Sequence, residues 1–137
     1  MNEQTPEFND KKSLEKIAEI AKGLVYMSET DSVVEAFFGG PVREDDIRSA
    51  ITQADSRSPV EEFLFDDFFG RLSSDQDWHN SEQKKRAEQF AQLKQFLAEN
   101  LRGLKVFKVG HIQLTIYAVG VSESKNAIGV KMDAVET

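Results

Sequence analysis

Hydrophobic positions recur along this chain with two different periods, and the change between them divides it. Leu14, Ile17, Ile20, Ala21 and Leu24 recur at helical spacing, which predicts a helix over residues 13–27 with that face buried. Ser13 offers an N-cap, and Glu15 puts a negative charge in the first turn, where the helix dipole favours it. The run Ser28-Glu29-Thr30-Asp31-Ser32 has no apolar residue and reads as a turn. Residues 33–38 are rich in β-branched and aromatic side chains and stop at Gly39-Gly40-Pro41, which predicts a strand closed by a turn. A short helix is expected over 43–54, with Ile47, Ala50 and Ile51 inward, then a second strand over 60–65 and a turn of helix carrying Phe68, Phe69 and Leu72.

Beyond a polar loop at 73–77, the pattern Ala87, Phe90, Leu93, Leu97, Leu101 predicts a long amphipathic helix over 80–100, ended by Gly103 as a left-handed cap. The period then falls to two. Ile112, Leu114, Ile116 and Ala118 alternate with Gln113, Thr115, Tyr117 and Val119, and Ile128, Val130, Met132 and Ala134 repeat the alternation. With residues 105–109 these make three consecutive strands, most simply an antiparallel meander. The expected class is α+β, a mostly antiparallel sheet flanked by helices. Residues 1–12 are expected to be a flexible tail and residues 13–137 a single domain.

Composition narrows the function classes. Acidic residues outnumber basic ones by 24 to 17, a net charge of −7, which disfavours direct binding of nucleic acid phosphate. Hydrophobic residues make up 39% of the chain, enough for a core, and there is no cysteine, so thiolate chemistry and disulfides are excluded. The N-terminus is polar and acidic, without the pattern of a signal peptide, and no stretch approaches the ~18 apolar residues of a membrane helix. A cytoplasmic, monomeric protein without membrane contact is expected.

Catalytic constellations are missing from the sequence. His79 and His111 are far apart, and they read as partly exposed histidines rather than metal ligands. A calcium loop starting near Asp75 and Asp77 is rejected, because Asn80 stands where Gly is needed and Arg86 where Glu is needed. Adjacent acids at Asp45-Asp46, Glu61-Glu62 and Asp66-Asp67 point apart and cannot form a hydrolytic pair alone. No nucleophile elbow, P-loop or dinucleotide-binding turn occurs. Lys84-Lys85-Arg86, flanked by Glu82 and Glu88, reads as a solvated helix face. The protein is expected to be a binding protein without cofactor, not an enzyme.

Three places can carry a binding surface. Trp78, the single Trp, falls in a polar loop before the long helix and reads either as a core lid or as an exposed anchor, the kind of residue that dominates interface energetics. Glu29 sits at a turn, where its carboxylate can meet a basic partner. The last residues, Val135-Glu136-Thr137, follow a strand directly, so a carboxylate, a hydroxyl and the Glu136 side chain can be offered together as oxygen donors.

With these residues the chain resembles the nuclease A inhibitor family. The matching pieces are Gly23-Leu24-Val25-Tyr26-Met27-Ser28-Glu29, Asp67-Phe68-Phe69, Gln76-Asp77-Trp78, Asn100-Leu101, residues 106–110, residues 117–120 and Val135-Glu136-Thr137. They come in the family's order and span the chain from about Leu14 onward. The resemblance implies an α/β/α sandwich-like domain that plugs the active site of a sugar-non-specific, Mg²⁺-dependent DNA/RNA endonuclease. It implies that Thr137 reaches the catalytic metal of the partner nuclease, and that Glu29, Asp77 and Trp78 make principal contacts; Glu136 is expected to join them from its place at the chain end. Any metal would then be bridged only in the complex. Met132 and Asp133 stand where the family is expected to have Thr and Lys, and Phe37-Phe38-Gly39-Gly40 and the Ser122–Asn126 turn also depart from its pattern. The alternative is a non-catalytic interaction module of the same fold with a different partner.

Overall fold

A computed structural model describes residues 8–74 and 78–137. Its elements in chain order are α1 (Phe8–Ile20), β1 (Val25–Met27), β2 (Asp31–Val33), β3 (Glu35–Pro41), α2 (Ile47–Ala54), β4 (Val60–Leu64), α3 (Phe65–Leu72), α4 (Ser81–Asn100), β5 (Arg102–His111), β6 (Gln113–Val121) and β7 (Asn126–Val135). Strands β3 to β7 form one five-stranded antiparallel sheet in the order β3-β7-β6-β5-β4, and β1 and β2 pair in a separate hairpin. The meander read from the alternation is β5-β6-β7, with Ile116 opposite Lys108 on one side and Met132 on the other.

Helices cover both faces of this sheet, so the expected α+β sandwich is what the chain forms. Ile116, Ala118, Ile128, Val130 and Met132 pack against Ile17 of α1, Phe68 and Phe69 of α3, and Phe90, Leu93 and Leu97 of α4. On the opposite face Phe107, Val109, Tyr117 and Val119 pack against Ile47, Ala50 and Ile51 of α2. The alternation in β6 therefore separates one core from another, not core from solvent. Among the described residues no helix is long and apolar enough to cross a membrane.

Several boundaries differ from those the periodicity predicts. The first helix starts at Phe8 and stops at Ile20, not over 13–27. Gly23 is left-handed (φ +75°), and the Gln89 side chain donates to the carbonyls of Ile20 (2.8 Å) and Lys22 (2.9 Å), closing the helix end. Residues 8–12, expected in the tail, are helical, and the buried Asp10 accepts from Asn126 Nδ2 at 2.7 Å. The second helix begins at Ile47 rather than at residue 43, because Glu44 and Asp45 are left-handed and Asp46 caps it by accepting from the Ser49 amide at 3.2 Å. The long helix is as expected, with Asn80 and Gln83 forming a reciprocal capping box. Gly103 does not cap it. The helix ends in an extended Leu101, and Gly103 (φ +64°) lies inside β5 where the register with β6 shifts, which is the role of a bulge.

One end of the sheet gathers what the site needs. His111 and Gln113 pair across Ile112 at the β5–β6 apex, and Gln113 pairs in turn with Val135, so the last residues run beside that apex. The segment between α2 and β4 is tied to the same end from the α2 side. Arg57 donates to Asp55, to the Gln113 carbonyl (3.3 Å) and to Thr115 Oγ1 (2.6 Å), and Tyr117 donates to Asp55 at 2.9 Å. The Arg57 hydrogen bonds hold the Asp55 carboxyl down at about 2, against the opposing effect of burial.

Candidate functional site

The hairpin tip that carries Glu29 is laid over the end of β7. The Ser28 hydroxyl donates to the Thr30 carbonyl (3.0 Å) and accepts from the Val135 amide (3.1 Å), and the Glu29 amide donates to the Val135 carbonyl (3.2 Å). This small lattice fixes the backbone on both sides of Glu29, a function for Ser28 that its neighbours in sequence do not reveal. Glu29 itself then reaches the last residue. Its carboxylate accepts from the Thr137 backbone amide and from the Thr137 hydroxyl, with Oγ1 2.8 Å from Oε1 and 2.9 Å from Oε2.

Two of the expected contact residues thus bond each other. The backbone amide of Thr137 and then its hydroxyl pull the Glu29 carboxyl below the ordinary carboxylate range, so Glu29 is ionised at neutral pH. A hydroxyl whose proton is committed to a carboxylate keeps its lone pairs for another donor or a cation. Thr137 and Glu29 are both exposed, so this oxygen is offered to solvent in a fixed position.

Glu136 has a different place from a freely offered acid. Its amide donates to the Ile112 carbonyl at 2.9 Å, and its side chain pairs with Lys108 Nζ at 2.9 Å, the Lys stem being largely buried and its ammonium 5.0 Å from the centre of the Phe63 ring. Glu136 is therefore a strut that ties the chain end to β5, its carboxylate paired inside the molecule with Lys108. Burial, and after it the nearby Glu136 charge, raise the Tyr26 hydroxyl pKa in the hollow beside this pair.

Trp78 is 75% exposed and sits edge-on to His79, 4.3 Å between ring centres, so it is no core lid. Asp77 lies outside the described residues. Trp78 precedes Asn80, the cap of α4, and that capping box fixes where the loop leaves the helix. Met27 connects the two regions. It borders one hollow with Tyr26, Phe68, Lys108 and Glu136, and a second with His79, Gln83, Arg86 and Phe90, and Arg71 and Leu72 border both. His79, next to Trp78, and Glu136, next to Thr137, thus border hollows that share Met27, Arg71 and Leu72.

Sequence reading missed Met27 and Ile112 as surface residues and Lys108 as the partner of Glu136. Met27 stood inside the Met-Ser-Glu motif, but its exposure follows from the hairpin that replaces the end of the predicted helix. The two departures near the chain end are engaged within the fold: Met132 is buried in the core against the three-helix layer, and Asp133 accepts from Thr115 at 3.0 Å. Among the described residues no group of three or more His, Asp or Glu side chains is placed to hold a metal ion.

No curated protein matches the chain at a significant level. A family model described as nuclease A inhibitor-like protein (NuiA) matches residues 11–137, nearly the whole length. The match starts inside α1, takes in every later element and both residues of the Glu29–Thr137 clamp, and the chain belongs to the nuclease A inhibitor-like family.

Proposed function

We propose that the protein inhibits a sugar-non-specific, Mg²⁺-dependent nuclease by docking the end of the molecule that carries Glu29, Thr137 and Trp78 into the nuclease active site. The observation that supports this reading most is the Glu29–Thr137 clamp, a hydroxyl oxygen fixed at an exposed tip with its proton held by a carboxylate. Fixing the donor before association removes part of the ordering cost of binding. In the complex, Thr137 Oγ1 meets the metal of the nuclease or a water bound to it, and the metal belongs to the enzyme. Trp78 supplies apolar contact area in addition to that of Met27 and Arg71. Asp77 and Glu136 belong to the same proposed contact set, Glu136 through the strut that holds the tip.

The charge of the chain fits this partner. A net charge of −7 repels nucleic acid and steers the protein toward a cleft built to attract phosphate, which raises the association rate at low salt.

The test is a titration of a panel of non-specific nucleases, following DNA and RNA cleavage, with wild-type protein and with protein lacking Thr137. Stoichiometric inhibition by the wild type and a loss of ~10²-fold without Thr137, about 3 kcal/mol, are expected. Equal inhibition by both proteins overturns the plug mechanism. Binding that does not compete with the nucleic acid substrate, or no binding at micromolar concentration, points instead to an interaction module of this fold with another partner.

A further inference from the structure

The apex of the β5–β6 hairpin carries a side chain that its own backbone disfavours. Ile112 has φ +66°, a left-handed conformation in which a β-branched side chain crowds the backbone and which turns ordinarily give to Gly, Asn or Asp. The other non-glycine residues with positive φ among the described residues are Glu44, Asp45 and Lys125, none of them β-branched and all polar. Packing does not account for the choice. Ile112 is 44% exposed and belongs to neither core.

Its neighbours do suggest an account. The Ile112 carbonyl accepts the Glu136 amide at 2.9 Å, which holds the backbone of this apex next to the residue before Thr137. Of the five large hydrophobic residues exposed among the described residues, Ile112 is bonded to Glu136 through its backbone, Met27 lines the hollow that Glu136 also lines, and Trp78 adjoins His79 of the second hollow that Met27 borders. Apolar side chains left in water around a charged tip are what the centre of a protein interface presents before association.

We infer that Ile112 is a contact residue for the partner nuclease, an exposed apolar side chain kept in a strained backbone at the apex that is bonded to the Glu136–Thr137 end. The inference rests on the proposed function and adds to it a residue and a trade of stability for affinity. A structural turn residue improves when strain is relieved and nothing is lost. A contact residue improves the fold and weakens the complex.

The experiment measures thermal unfolding and nuclease inhibition for wild type, Ile112→Asn and Ile112→Val. Asn tolerates the left-handed backbone and keeps the carbonyl that holds Glu136, while it removes the apolar contact. Ile112→Asn is expected to raise Tm by ~2–5 °C and to weaken inhibition about tenfold. Ile112→Val, which keeps both the branching and most of the apolar surface, stays within about twofold of wild type in inhibition. If Ile112→Asn inhibits as well as wild type, Ile112 is no contact, although the wild type's own inhibition leaves the proposed function standing. If Tm falls, the strain argument is wrong. A wild type that inhibits no nuclease in the panel overturns this inference together with the function it rests on.

Discussion

The two ends of the central sheet close with similar parts and finish them differently. At the β6–β7 turn Lys125 is left-handed (φ +64°), and polar groups there satisfy one another: Ser122 bonds Asn126, Lys125 bonds Ser122, Val42 bonds Lys125, and the Asn126 side chain donates to the buried Asp10. At the opposite end the left-handed residue is Ile112, the hairpin tip exposes Glu29, and Met27 and Trp78 stand in water nearby. The β6–β7 turn uses its polar groups on internal bonds, although Leu64 stands 71% exposed where β4 ends on that side. The other end keeps apolar surface and a fixed hydroxyl facing outward, which fold stability alone does not require.

The contrast is broken most strongly at Trp78. Trp78→Ala is expected to lower inhibition about 30-fold, near 2 kcal/mol, and to leave Tm within about a degree of wild type, because the ring is 75% exposed. A large fall in Tm with unchanged inhibition would put Trp78 among the residues that build the fold. Asp10→Ala, at the quiet end, should show the converse. It leaves the part-buried Asn126 side chain without its partner and is expected to cost about 1.5 kcal/mol of stability, read as a fall in Tm of several degrees. Inhibition per folded molecule should not change. If Asp10→Ala weakens inhibition as Trp78→Ala does, the two ends are not functionally separate.

Much of the quiet architecture was legible in the sequence, and the reasons are local. Alternation in β6 and β7 gave the strands, and Phe90, Leu93 and Leu97 gave α4, because each pattern repeats within a few residues. Leu24 fits the helical spacing of α1 by coincidence. Gly23 ends that helix earlier, and Leu24 is buried from the loop instead. Ile112 also fits the alternation of β6, yet it stands at the apex, since a two-residue period carries no information about where a hairpin turns. The clamp could not be read at all. Glu29 and Thr137 are 108 positions apart, and only the path of β7 beside the β1–β2 hairpin brings them together. The family resemblance named both residues as contacts, but not that one holds the other.

The clamp also gives the smallest and most direct way to sharpen the comparison, through pH. The Glu29 pKa is lowered by bonds that exist only when Thr137 is docked, the backbone amide contributing first and the hydroxyl second. A lowered folded-state pKa means that the clamp is fully formed above the ordinary carboxylate value and is lost as pH falls through the lower one. The side-chain carboxyl carbon resonance of Glu29 should therefore titrate with a midpoint below 4.5, the value of an unperturbed Glu, and removal of Thr137 should move that midpoint up toward it. A midpoint at or above 4.5 would show that the docked chain end does not stabilise the carboxylate. At neutral pH Glu29→Gln keeps the shape of the acceptor and removes its charge, and for so exposed a group a loss of only about threefold in inhibition is expected. The Asp10–Asn126 pair at the other end should not respond in that variant, because nothing but the length of the sheet connects it to the tip.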